Sequence, residues 1–157
     1  MKNSIFILLM TLTLYPLSSF AHCEIPCGIF GDEGRFLELM EHAETIEKSM
    51  NEINRLDGES DVDYHTIARW TFNKEDHAEK IQYMASRYFL AQRVKLPAAD
   101  ATADQIKDYE KHTTLLHKMI VKAMRTKQTT DTAAVTELRN VISDYKHHYF
   151  KDHEHEL

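Results

Sequence analysis

The segment His22-Cys23-Glu24-Ile25-Pro26-Cys27-Gly28 concentrates an imidazole, two thiols and their connecting amides in a few residues. Cutting the chain between Ala21 and His22 adds a free α-amine to that set. A metal ion bound by the His22 amine and the deprotonated Cys23 amide nitrogen closes a five-membered chelate ring, and the same amide with the Cys23 sulfur closes a second. Cys27 can return as the fourth ligand if the chain turns sharply, which Pro26 favours. Two nitrogens and two sulfurs in a plane suit nickel(II) or copper(II) over tetrahedral zinc. The His22 imidazole can reach an axial position, giving a five-coordinate site suited to a higher oxidation state.

The residues before the segment support that cut. Lys2 is the only charged side chain among them, and Ile5 to Tyr15 is apolar apart from Thr11 and Thr13. Pro16 ends the run, and Ser19 and Ala21 stand where signal peptidase requires small side chains. The run falls short of the about 20 apolar residues of a stable membrane anchor. There is no twin arginine, and His22 in front of Cys23 argues against lipid attachment. The expected organisation is a cleaved signal peptide over 1–21, a metal-binding hook over 22–30 and a helical domain over 31–157. The expected destination is outside the cytoplasm, periplasmic or secreted.

The formal net charge of −6 becomes slightly more negative once Lys2 is removed. No basic block points to nucleic acid, and no second apolar run points to a membrane. Four Gly and three Pro in 157 residues favour long helices over a turn-rich β fold.

Apolar spacing marks four helical stretches. The first carries Phe36, Leu39, Met40, Ala43, Ile46, Met50, Ile53 and Leu56, with Asp32 and Glu33 at its positive end and Gly58 placed to stop it. The second starts near Ser60-Asp61-Val62-Asp63, a capping-box pattern with Asp in place of Glu, and stops before Pro97. The third opens on the capping box Thr102-Ala103-Asp104-Gln105 and should bury Ile106, Tyr109, Leu116, Met119, Ile120 and Ala123. The fourth begins near Asp131 and carries Val135, Leu138, Val141, Ile142, Tyr145 and Tyr149. Short polar connectors between amphipathic helices predict an all-α, antiparallel four-helix bundle. The second helix is apolar or aromatic over much of its circumference, which suggests burial against a further subunit.

His-Cys-x-x-Pro-Cys-Gly at a mature N-terminus, followed by a four-helix domain, resembles nickel superoxide dismutase. The resemblance implies an oxidoreductase with a nickel cofactor that cycles between Ni(II) and Ni(III) and converts superoxide to oxygen and hydrogen peroxide. It implies His22, Cys23 and Cys27 as metal ligands and catalytic residues. The family has a first-helix glutamate that hydrogen-bonds the axial imidazole, and Glu38 stands at the matching distance. Members assemble as hexamers, so a homohexamer is implied here. Around the metal, Pro26 shapes the hook, Phe30 stands where the family often has a tyrosine, and His77 aligns with an arginine that supports the axial histidine in some members. These two departures bear on rate and on the surroundings of the ligands, not on the metal.

Two readings of other classes compete. One is an exported nickel or copper carrier, using the hook with the terminal histidines as a capture surface. The other is a helical binding module whose Cys23-Cys27 disulfide is structural. Composition alone favours the disulfide, and the His-Cys start with its Pro-Cys-Gly continuation favours the metal. His147, His148, His153 and His155 read as a solvated, functionally neutral tail, and His42, His65, His112 and His117 as surface or interhelix polar residues.

Overall fold

The structure, a computed structural model, describes residues 31–153. The expected signal peptide and hook, and the end of the histidine-containing tail, lie outside the described residues. Helix α1 spans Asp32–Asp57, α2 Tyr64–Tyr83, α3 Ala103–Lys127 and α4 Ala133–His153. Helix α2 runs directly into a π-helical segment, Met84–Arg93, so the two form one long rod. Each helix packs on its neighbours in sequence, and α1 closes the ring against α4. This is the four-helix bundle that the apolar spacing predicts.

The caps show how local chemistry sets the boundaries. Thr102 and Gln105 make the reciprocal capping box that their spacing predicts, with Thr102 N–H donating to Gln105 Oε1 at 2.9 Å and Gln105 N–H to Thr102 Oγ1 at 3.3 Å. The second helix begins later than expected. Asp63, not Ser60, is its cap, accepting from Thr66 N–H at 3.0 Å. Both residues can cap, and the connector over 58–63 decides between them by the length it needs to turn. Gly31, ahead of α1, has φ 78° and ψ 131°, a backbone state that glycine adopts without steric cost. Nothing lies within 4 Å of where a Cβ would stand, so the demand there is conformational and not spatial.

The core follows the predicted stripes. Phe36, Leu39, Ala43, Ile46 and Met50 of α1 meet Ala78, Ile81 and Phe89 of the α2 rod, Leu116, Met119 and Ala123 of α3, and Leu138, Ile142, Tyr145 and Tyr149 of α4. Burying each large apolar side chain stabilises by about 1.5–3 kcal/mol. Exposed ion pairs such as Arg55 with Glu59 and Lys80 with Asp76 contribute about 0–1 kcal/mol each, so the core sets the stability. The third helix departs from expectation at its start: Ile106 is 42% exposed and Tyr109 is only half-buried. Tyr109 there borders a shallow pocket with Val94 and Leu96 instead of entering the core.

Two polar devices close the ends of the bundle. At one end the Asp32 carboxylate, in the first turn of α1, accepts from the hydroxyls of Tyr88 and Tyr149 and from the Arg93 guanidinium at 3.1 Å. Burial pushes its pKa up, but the Tyr149 and Tyr88 hydroxyls and Arg93 outweigh that and hold it below the usual carboxylate value. At the other end Lys74, 3% exposed, donates to the carbonyls of Thr126, Lys127 and Thr129 at 2.8–2.9 Å. Its ammonium thereby satisfies carbonyls that the last turn of α3 leaves without intrahelical donors.

Because the folded pKa of Asp32 is depressed, its contribution is present above the ordinary carboxylate pKa and is lost as pH falls through the lowered folded value. Asp32→Asn keeps the hydroxyl contacts but removes the charge. It should cost about 1–3 kcal/mol at pH 7, the range of charged hydrogen bonds. The gap between the two proteins should shrink below about pH 4. Urea denaturation followed by circular dichroism at both pH values checks this, and a gap independent of pH would refute a charge-based role.

Candidate metal centre

Helix α1 presents Arg35, Glu38 and His42 along one side, at the three- and four-residue steps that stack side chains on a helix face. Arg35 Nη1 donates to Glu38 Oε2 at 2.5 Å. His42 Nε2 lies 3.9 Å from Glu38 Oε1, on the other oxygen of the same carboxylate. Glu38 is thus held by Arg35, with His42 nearby on its other oxygen, while its side chain stays 39% exposed.

Helix α2 adds His77, whose Nδ1 lies 3.0 Å from Nδ1 of His42, with the rings edge to face at 79°. Whichever nitrogen accepts that hydrogen bond is bare, so the accepting ring is neutral. Burial, and then the neighbouring His77, lower the pKa of His42 against the opposing pull of Glu38. Burial and Lys80 lower that of His77. If His77 donates, His42 carries its proton on Nε2, facing Glu38.

These side chains border a cleft of about 540 Å³ between α1 and the α2 rod. Arg35, Glu38 and His42 form one wall, and Lys80, Tyr83 and Tyr88 stand on the other. Tyr83 is 52% exposed and brings a phenol to the cleft. The Tyr88 hydroxyl is turned to Asp32 and Arg93, which links the cleft wall to the end of the bundle.

Of the residues singled out from the sequence, Glu38 and His77 fall within the described part. Glu38 lies on the cleft, and His77 reaches it through His42. His22, Cys23, Pro26, Cys27 and Phe30 lie outside the described residues. His42 is the member that sequence reasoning missed. It reads as an ordinary interhelix polar residue, and its one signal is the four-residue step from Glu38. His65 and His117 are exposed, as expected. His148 is not a solvated tail residue: it is 6% exposed, because it follows Tyr145 by three positions on the buried face of α4.

An amine, an amide nitrogen, an imidazole and two thiolates form a donor set whose softness and charge fit nickel. The exposed carboxylate of Glu38, already fixed by Arg35, is suited to accept from the N–H of a ligating imidazole. Comparison with known proteins bears on the same chemistry. No curated protein and no solved structure matches the chain. The family model of nickel-containing superoxide dismutase matches residues 17–153, a span that takes in the proposed cleavage point, the hook and all four helices. By that match the chain belongs to the nickel-containing superoxide dismutases.

Proposed function

We propose that His22, Cys23 and Cys27, exposed by removal of residues 1–21, hold the nickel ion with which this oxidoreductase turns two superoxide ions and two protons into oxygen and hydrogen peroxide. The observation that carries the site assignment is the restrained Glu38 on an open cleft, at the distance from the hook at which the family places its glutamate. Nickel, when bound, supplies a one-electron couple that two thiolates and an anionic amide bring into range for superoxide.

The chain's own residues do the rest. The ten steps from His22 to Asp32 reach at most about 35 Å, and Glu38 lies about 9 Å along α1 from Asp32. The hook therefore has ample length to fold back over the cleft. There Glu38 orients the His22 ring, Arg35 holds Glu38 in place, and the His42–His77 pair backs the carboxylate. The cleft pairs Arg35 with Glu38 and Lys80 with Asp76 and adds Glu79, so its lining carries no positive excess, and Tyr83 places a phenol on the same wall.

The proposal extends to export, processing by signal peptidase and assembly as a homohexamer. Export rests on the leader's pattern. Assembly is supported by large apolar side chains left exposed on α2, with Tyr64 at 76% and Phe72 at 73%. Analytical ultracentrifugation should find an assembly of six chains that Phe72→Glu breaks down, and a monomeric parent protein would refute the assembly.

Processing is open to a direct check. N-terminal sequencing of active protein should begin at His22. One retained residue turns the amine into a poorly coordinating amide, so active protein that keeps Ala21 would overturn the ligand scheme.

A variant series tests the roles. Cys23→Ser or Cys27→Ser should abolish dismutation and the planar nickel spectrum while leaving the helical circular dichroism intact, since the described core lies entirely within the helices. Glu38→Gln should lower the rate by about 10–100-fold, the range for groups behind a metal ligand, with nickel still bound near one per chain. His22→Gln should be more severe. Pulse radiolysis beside a nickel titration reads both quantities. A nickel-loaded parent protein no faster than free nickel ion would point to the carrier instead.

A further inference from the structure

A second cluster of metal-ligating side chains lies on the seam between α3 and α4, on helices that contribute nothing to the cleft walls. Asp108 and His112 are one helical turn apart on α3, and His148 faces them from α4. His148 Nε2 is 3.2 Å from Asp108 Oδ1, and His112 Nε2 is 3.6 Å from Asp108 Oδ2. The two imidazole rings lie with centroids 4.4 Å apart. One ligand atom from each residue can be chosen so that all three fall within 4.8 Å of one another.

We propose that Asp108, His112 and His148 form a second metal site, separate from the N-terminal hook, that takes a zinc-class divalent ion. Two imidazole nitrogens and one carboxylate oxygen are the ligand set of three-residue zinc centres that keep a fourth position open. Bonds of about 2.0–2.1 Å in a tetrahedron set neighbouring ligand atoms about 3.3 Å apart. The His148 contact to Asp108 Oδ1 already matches that spacing, and with one ligand atom from each residue within 4.8 Å, side-chain rotations would bring His112 onto the same ion. The hook's thiolates and amide favour a planar ion, whereas this nitrogen and oxygen set imposes no planarity, so the two sites select differently.

Burial and access are both right for such a site. His148 is 6% exposed and the His112 side chain 13%, while the Asp108 side chain at 42% opens outward. Asp108 and His112 border a cleft of about 320 Å³ beneath the loop carrying Val94, Leu96 and Pro97, which gives an ion a path from solvent. The carboxylate halves the charge of a divalent ion. Since the ligands come from two helices, the ion would clip the C-terminal part of α4 to the start of α3, the stretch where Ile106 is exposed and Tyr109 half-buried.

The test uses the full mature chain carrying Cys23→Ser and Cys27→Ser, which removes the hook thiols, with zinc(II) and cobalt(II) as probes. Isothermal titration should give one zinc ion per chain, and cobalt(II) should develop the ligand-field bands of a low-coordinate nitrogen and oxygen site. Asp108→Asn, a near-isosteric change on a side chain 42% exposed, should weaken binding by at least about 100-fold, the upper end of what changes behind a metal ligand cost. His112→Gln should act alike, with circular dichroism confirming the fold. Zinc should raise the melting temperature of the parent chain and not of these variants. His153→Gln with His155→Gln should leave binding unchanged. No bound zinc in the thiol-free chain overturns the site, as does binding that survives Asp108→Asn and His112→Gln or disappears with the tail histidines. None of these results depends on dismutase activity, so failure here leaves the hook reading standing.

Discussion

The carboxylate of Asp32 is the constraint on which the working end of this bundle depends. It sits in the first turn of α1 and accepts from Tyr88 and Arg93 of the π-helical segment and from Tyr149 of α4. Three separate elements thus converge on one charge at the point where the hook segment joins the helices. The helix dipole favours a negative charge there, and the two phenols and a guanidinium compensate its burial. Beneath it Phe36, Phe89, Tyr145 and Tyr149 pack ring against ring at centroid distances of 4.8–5.9 Å, so the charge rests on a stiff aromatic floor. Gly31, immediately before it, lets the backbone enter the helix through a positive φ. The start of α1 is therefore held by backbone geometry and by a buried charge together.

The π-helical segment serves the same purpose from the other side. Its hydrogen bonds span one residue more than in an α-helix, as in Val94 N–H to Phe89 C=O at 3.1 Å. Within it Tyr88 and Phe89 both face inward, at 3% and 0% exposure. The altered register brings Arg93 back over the Tyr88 ring, 4.9 Å from its centroid. In an uninterrupted α-helix, at about 100° per residue, the five-residue step would carry Arg93 well round the helix from Tyr88. The irregularity is thus tied to the polar knot at Asp32 and to the wall of the neighbouring cleft.

Division of labour between rigid and reactive parts follows from this. A short segment rich in donors can bind a metal without any fold, but it cannot by itself hold an axial imidazole at a fixed angle or exclude solvent. Arg35, Glu38, His42 and His77 are placed by two packed helices, with Ala43 and Ala78 fully buried beside them. The far end of the bundle is closed independently by Lys74 on three carbonyls. The two polar devices share no residue, so each end of the bundle has its own.

Much of this protein is legible in its sequence because the relevant signals are local. The four apolar stripes and the Thr102 capping box each depend on residues a few positions apart, where helical periodicity acts directly. The donor set proposed over 22–28 is equally local, and Glu38 stands out only through the resemblance to the family, since a carboxylate on a helix surface is ordinary by itself. Contacts across the bundle are another matter. That His42 stands between Glu38 and His77, that Lys74 is buried as a helix cap, that His148 packs inside and not in a solvated tail, and that Asp108 and His112 meet it across a helix seam all depend on the relative rotation and offset of helices far apart in the chain. Periodicity specifies which face of a helix is apolar, but not which polar residue at the margin of that face meets which partner. Only the packed bundle decides that, because side-chain volumes across the whole core set the rotation of each helix.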